Sequence, residues 1–157
     1  MLNAFAVSPL VTLAADSATV VNSTLVNANE LALTLDLGFV YHIEGMLRIN
    51  TTATPGFQID FNGGNVGIAA GGYFNASVIY QGGASPPTVS GTTLATALSA
   101  GAVAVTHAIV NAIIRPTSGN ALILRYAQAV TNATPSGLQA GSFLKATIVT
   151  PATQRIK

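Results

Sequence analysis

Ala121–Ala146 reads ALILRYAQAVTNATPSGLQAGSFLKA, and its alternation decides the fold class. Leu122, Leu124 and Tyr126 fall on one side of an extended chain, as do Leu144, Ala146 and Ile148 further on. A Thr/Asn/Pro/Ser/Gly connection separates the two runs. Period-two patterning bounded by turn residues predicts two long strands joined by a wide turn, a hairpin with no chemistry of its own.

At 157 residues the chain fits one domain, and a domain of that size buries about 68–70% of its unfolded surface. Half of the residues are hydrophobic and only 7% are charged, against about 25% in ordinary soluble domains. Solubility then comes from uncharged Thr, Ser, Asn and Gly at the surface, from burial against other subunits where charge is depleted, or from both, which is the expectation. A net charge of +1 with six Lys and Arg in the whole chain leaves no basic stripe for a phosphate backbone, so no nucleic-acid partner is expected. Cysteine is absent, which removes disulfides and thiolate metal sites.

The opening, MLNAFAVSPLVTLAADSA, has an apolar middle and an alanine-rich end. No Lys or Arg precedes the apolar run and Pro9 interrupts it, so a secretory signal is not expected. Two readings stand: a frayed terminus or first edge strand, or an extended arm over residues 1–18. In the second, Leu2, Phe5, Val7, Leu10, Val11 and Leu13 lie on a neighbouring subunit, since apolar area left in water costs about 25 cal/mol per Å².

A single domain is expected over residues 19–157. Glu30 precedes an apolar strand with Leu31, Leu33 and Leu35. In YHIEGMLRIN, Tyr41, Ile43, Gly45, Leu47 and Ile49 share one face, and His42, Glu44, Met46, Arg48 and Asn50 the other. Glu44 and Arg48 are too far apart along a strand for a close pair, so cross-strand partners are expected. Phe57, Ile59 and Phe61 alternate against Gln58, Asp60 and Asn62. Gly-rich sequence follows, with short strands expected around Val66–Ala69 and Tyr73–Tyr80 and an exposed loop at Pro86-Pro87. Leu94–Ile114 is long enough for a membrane span of about 20 residues. Its apolarity is largely alanine, it contains His107 and Asn111, and its second half is β-branched, so strand is expected and no membrane partner.

The wording of several of these segments resembles the TNF-like jelly-roll modules of tailed-bacteriophage structural proteins. The matching pieces are L-x-L-x-Y-A-Q from Leu122, T-N-A-T-P from Thr131, A-G-S-F-L-K-A from Ala140, N-S-T-L from Asn22 and Y-x-x-E-G-x-L from Tyr41. The likeness runs from Thr19 to Val149, with the aromatic alternation after TTATPG kept and the identities at Gln58 and Asp60 departing. It implies an all-β antiparallel β-sandwich, a TNF-like jelly roll with an extended N-terminal arm, assembled as a homotrimer. It further implies a non-enzymatic capsid decoration (cement) protein on the outer surface of the virion, bound to the major capsid protein and bracing the shell against DNA pressure. A head-fibre or tail module that recognises host-surface glycan is the alternative. On the decoration reading Leu122, Leu124, Tyr126, Phe143 and Leu144 form the subunit interface, and the arm residues Leu2, Phe5, Val7, Leu10, Val11 and Leu13 contact the capsid.

Residues that could carry chemistry are few. Gly63-Gly64-Asn65-Val66-Gly67 lacks the following Lys-Ser/Thr of a phosphate-cradling loop and reads as loop and bulge. His42 and His107 are the only imidazoles, so a zinc site would have to draw on scattered carboxylates, and no metal or cofactor is expected. Ser142 is outside a G-x-S-x-G elbow and is expected to begin the last strand. Asp36, Asp60, Glu30 and Glu44 form no calcium-loop pattern. Glycan recognition would need exposed aromatics, for which Tyr73, Phe74 and Tyr80 are the candidates.

Overall fold

The computed structural model describes residues 9–52, 54–61, 64–83 and 87–149, and among them there is no helix. The strands are β1 Leu10–Thr12, β2 Val26–Thr34, β3 Tyr41–Asn50, β4 Gln58–Asp60, β5 Tyr73–Gln81, β6 Thr88–Gly91, β7 Leu98–Ser99, β8 His107–Arg115, β9 Ala121–Ala127, β10 Gly137–Leu138 and β11 Phe143–Ile148. They build two antiparallel sheets packed face to face. The larger runs β1-β11-β3-β8-β5-β6, with β10 added to β3, and the smaller runs β2-β9-β4-β7. Apart from the β5–β6 hairpin, the chain changes sheet at nearly every step from β1 to β9.

Alternation explains which residues lie between the layers. In β3, Tyr41, Ile43, Leu47 and Ile49 are buried as expected, and the same period buries Phe74, Ala76, Val78 and Tyr80 in β5 and Ala108, Val110, Ala112 and Ile114 in β8. The smaller sheet answers with Leu31, Leu33 and Leu35, with Phe57, Ile59 and Phe61, and with Leu122, Leu124 and Tyr126. Rings join within and between the layers: Phe57 stacks on Tyr126 of the same sheet with centroids 6.1 Å apart, and Phe61 meets Phe74 of the larger sheet at 5.8 Å. A fully buried Leu or Ile contributes about 1.5–3 kcal/mol, so apolar burial is the main term that holds the two sheets together.

The expected hairpin is a correction. β9 and β11 do not pair: β9 sits between β2 and β4, while β11 sits between β1 and β3. The connection Gln128–Ser142 crosses from one sheet to the other. Buried Gln128 organises its start, donating to the Thr134 carbonyl at 2.6 Å and accepting from the Asn132 amide at 2.7 Å. Alternation names the face a strand buries and says nothing about its neighbour, because Leu122 and Leu144 fill the same core from opposite layers. Val66–Ala69 is likewise not a strand, since only Gly67 bridges there, to Ser118.

The arm is also corrected where it can be seen. Leu10–Thr12 forms edge strand β1 on β11 of the same chain, Val11 packs against the core, and Leu13 is buried within it. Asp16 and Ser17 then accept from the Ala140 and Leu138 amides, both at 2.8 Å. The edge-strand reading of this segment therefore describes residues 10–12, and of Leu10, Val11 and Leu13 only Leu10 remains broadly exposed. Leu2, Phe5 and Val7 lie outside the described residues. Leu94–Ile114 holds β7, a connection and most of β8, and no helix among the described residues is long and apolar enough to cross a membrane.

Candidate interaction surface

Four of the residues expected at a subunit interface are occupied inside their own chain. Leu122, Leu124, Tyr126 and Leu144 are 0–2% exposed, and the Tyr126 hydroxyl donates to the Ala18 carbonyl at 2.5 Å. Apolar alternation marks burial, and here it is met within one subunit. Phe143 differs: its side chain faces away from the core and is only partly covered. Of the three aromatics considered for glycan, Phe74 and Tyr80 are buried and Tyr73 alone is exposed.

Phe143 belongs to a surface that strand register assembles. Antiparallel pairing sets Thr12 beside Phe143, Phe143 beside Met46, Met46 beside Ile109, Ile109 beside Ile79 and Ile79 beside Thr88. All point away from the core, so a row runs across all six strands of the larger sheet and its middle four members are apolar. Met46 is 38% and Ile109 43% exposed. Two residues along each strand lies a polar row, Lys145, Glu44, Asn111 and Ser77. On the other side of the apolar row stand Arg48, His107 and Gln81.

Charges on this face are few and arranged by register. Lys145 donates to Glu44 across the β11–β3 pair at 3.1 Å, the cross-strand partnership expected for Glu44. Arg48 sends Nη1 to the Ala140 carbonyl at 2.7 Å. His42 lies 3.3 Å from Asn111 Oδ1 and His107 3.2 Å from Thr106 Oγ1. Among the described residues no three His, Asp or Glu come together in a way that could hold a metal ion. Ser142 is buried just before β11, accepting from the Arg48 amide at 2.9 Å and donating to the Gln139 carbonyl at 2.8 Å.

The opposite sheet contains an ion pair that pattern reading missed. Asp60 of β4 is paired in register with Arg125 of β9, which donates Nε at 2.7 Å and Nη2 to its carboxylate. The Asp60 side chain is 0% exposed and that of Arg125 25%, and the bonded carboxylate holds the guanidinium pKa above its ordinary value. The signal was present as two opposite charges at outward positions of apolar strands, but pairing them required knowing that β4 and β9 are neighbours.

The glycine-rich segment binds its own chain. The Asn65 side chain accepts from the Asn120 and Ala121 amides at 3.0 and 2.8 Å, and the Gly67 amide donates to Ser118. Its backbone donors are thus turned to the β8–β9 turn, and a Cβ on Gly64 would stand 1.9 Å from the Ala121 carbonyl oxygen. A cavity of 390 Å³ between Val66–Ile68 and Thr92–Ala95 has no ionisable side chain in its wall. Comparison with known proteins finds no matching family model, no matching curated protein and no matching solved structure.

Proposed function

We propose that this chain is a non-enzymatic virion structural protein: a homotrimeric capsid decoration protein that binds the outer head surface, through the major capsid protein, and braces the shell against packaged DNA. The observation that carries the reading is the outer face of the larger sheet, apolar along its middle row and sparsely charged around it. Such a face contributes most when another surface covers it, because its side chains are then removed from water. The alternation of the chain between two sheets supports the jelly-roll part of the proposal, and the segment wording from Asn22 to Ala146 supports the phage part.

The mechanism is mechanical. A protein bound across several shell subunits adds contacts that must be lost before the shell opens, so binding free energy becomes shell stability. Leu2, Phe5 and Val7, which precede the edge strand, are the proposed capsid contact, while Leu10–Leu13 act within the fold.

Co-sedimentation with expanded, undecorated heads, with light scattering on the free protein, tests the proposal. Saturable binding by a trimer or a pair of trimers is expected, and deletion of Met1–Ser8 should leave a folded oligomer that no longer binds. A truncated protein that binds normally would remove the arm contact. Protein that ignores heads and binds host cells or envelope glycan would move the assignment to a receptor-binding module.

A further inference from the structure

We infer that the outer face of the larger sheet pairs with the same face of a second copy of this chain, about a two-fold axis running along the Phe143–Met46–Ile109–Ile79 row. The inference rests on the assembly role proposed above for this face, and it names the occupant.

Complementarity selects the axis. The polar rows lie on either side of the apolar row, each about 6.8 Å from it, two residues along a strand. Rotation by half a turn about the row keeps every apolar residue over its own counterpart and exchanges the flanks. Glu44 then faces the second copy's Arg48, and Arg48 faces the second copy's Glu44. On the neighbouring strand Asn111 faces the second copy's His107, a hydrogen-bonding match. The other in-plane two-fold, parallel to the strands and between β3 and β8, sets Arg48 over the second copy's His107 and Glu44 over its Asn111. That arrangement leaves both carboxylates without a new cation, so it is the poorer fit.

Shape and size agree. Stacked sheets pack about 10 Å apart with strands aligned to within about 30°. A rotation of that size moves the flanking charges by only about 3 Å, within reach of Glu and Arg side chains. The six strands together hold 41 residues, each covering about 4.8 by 3.4 Å, a projected area near 670 Å². A specific interface takes about 600–1,000 Å² from each partner. The Lys145–Glu44 pair remains at the edge, where it joins the second copy's Arg48 in a three-charge cluster.

The full chain, without capsids, is weighed by light scattering and sedimentation across a hundredfold range of concentration. Pairing gives two chain masses, or six if the trimer also forms. One or three masses throughout overturns it. Met46→Asp with Ile109→Asp should lose the pairing at every concentration while far-UV circular dichroism stays unchanged, since both side chains point to solvent. Glu44→Arg should weaken pairing at least tenfold, and adding Arg48→Glu should restore it, because the exchange rebuilds both cross-copy pairs. A double variant no better than Glu44→Arg overturns the axis. Head binding is read separately, so a chain that pairs and ignores heads fails the decoration role alone.

Discussion

Arg125→Met removes the guanidinium that answers a carboxylate with no exposed side-chain surface. Asp60 receives two charge-assisted hydrogen bonds from Arg125, one at 2.7 Å. Such bonds contribute about 1.5–3 kcal/mol each in net terms, and breaking a buried pair by removing one partner costs about 3–5 kcal/mol. The Arg125 side chain is 25% exposed, so water reaches one end of the pair, and Asp60 has a further interaction besides Arg125. Both features place the expected loss at the lower end, about 3 kcal/mol. With a urea m-value of about 2 kcal/mol per M, the midpoint falls by about 1.5 M. Asp60→Asn should cost less, about 1–2 kcal/mol, because the stranded group is then a guanidinium that water can reach. Urea titration followed by far-UV circular dichroism measures both. A loss under about 1 kcal/mol for Arg125→Met at unchanged m, or equal losses for the two variants, would refute the view that burial of Asp60 controls the energetics.

Leu122→Asp should abolish folding rather than dissociate an oligomer, because Leu122 is 1% exposed within one chain; a folded monomer by circular dichroism would return it to the interface. Burial raises the phenol pKa values of Tyr80 and Tyr41, and both rise above the unfolded value near 10. Their stabilisation is complete below about pH 10 and is lost as pH climbs toward the folded-state values, at up to about 1.4 kcal/mol per pH unit for each tyrosine. Melting temperature should therefore fall from about pH 10 upward, and a flat profile to pH ~11 would contradict the burial. Gly119, at φ +68°, closes the β8–β9 turn, and a Cβ there would stand 1.7 Å from the Asn65 carbonyl oxygen. Gly119→Ala should cost at least about 2 kcal/mol in the same urea assay, and a neutral result would mean that the turn relaxes freely.

Much of the molecule was readable from alternation. The faces of β3 follow from period-two patterning, and the strand character of the second half of Leu94–Ile114 from its β-branched residues. The candidate surface was half visible: Glu44, Met46 and Arg48 were placed together on the outward side of β3, and Phe143 was marked as a contact. Its expected companions Leu122, Leu124, Tyr126 and Leu144 are buried within one chain, since an apolar inward position reads alike whether the covering layer comes from the same chain or another.

By itself, then, the order of residues determined strand faces, the aliphatic core and the absence of a thiol or basic stripe, because those depend on local geometry and composition. Which strands are neighbours was decided only in three dimensions. The separation of β9 from β11, the meeting of Asp60 with Arg125 and the apolar row on the larger sheet all depend on register between segments far apart in the chain. Side-chain period along one strand contains no information about its partner; only the packing of two layers around one core selects it.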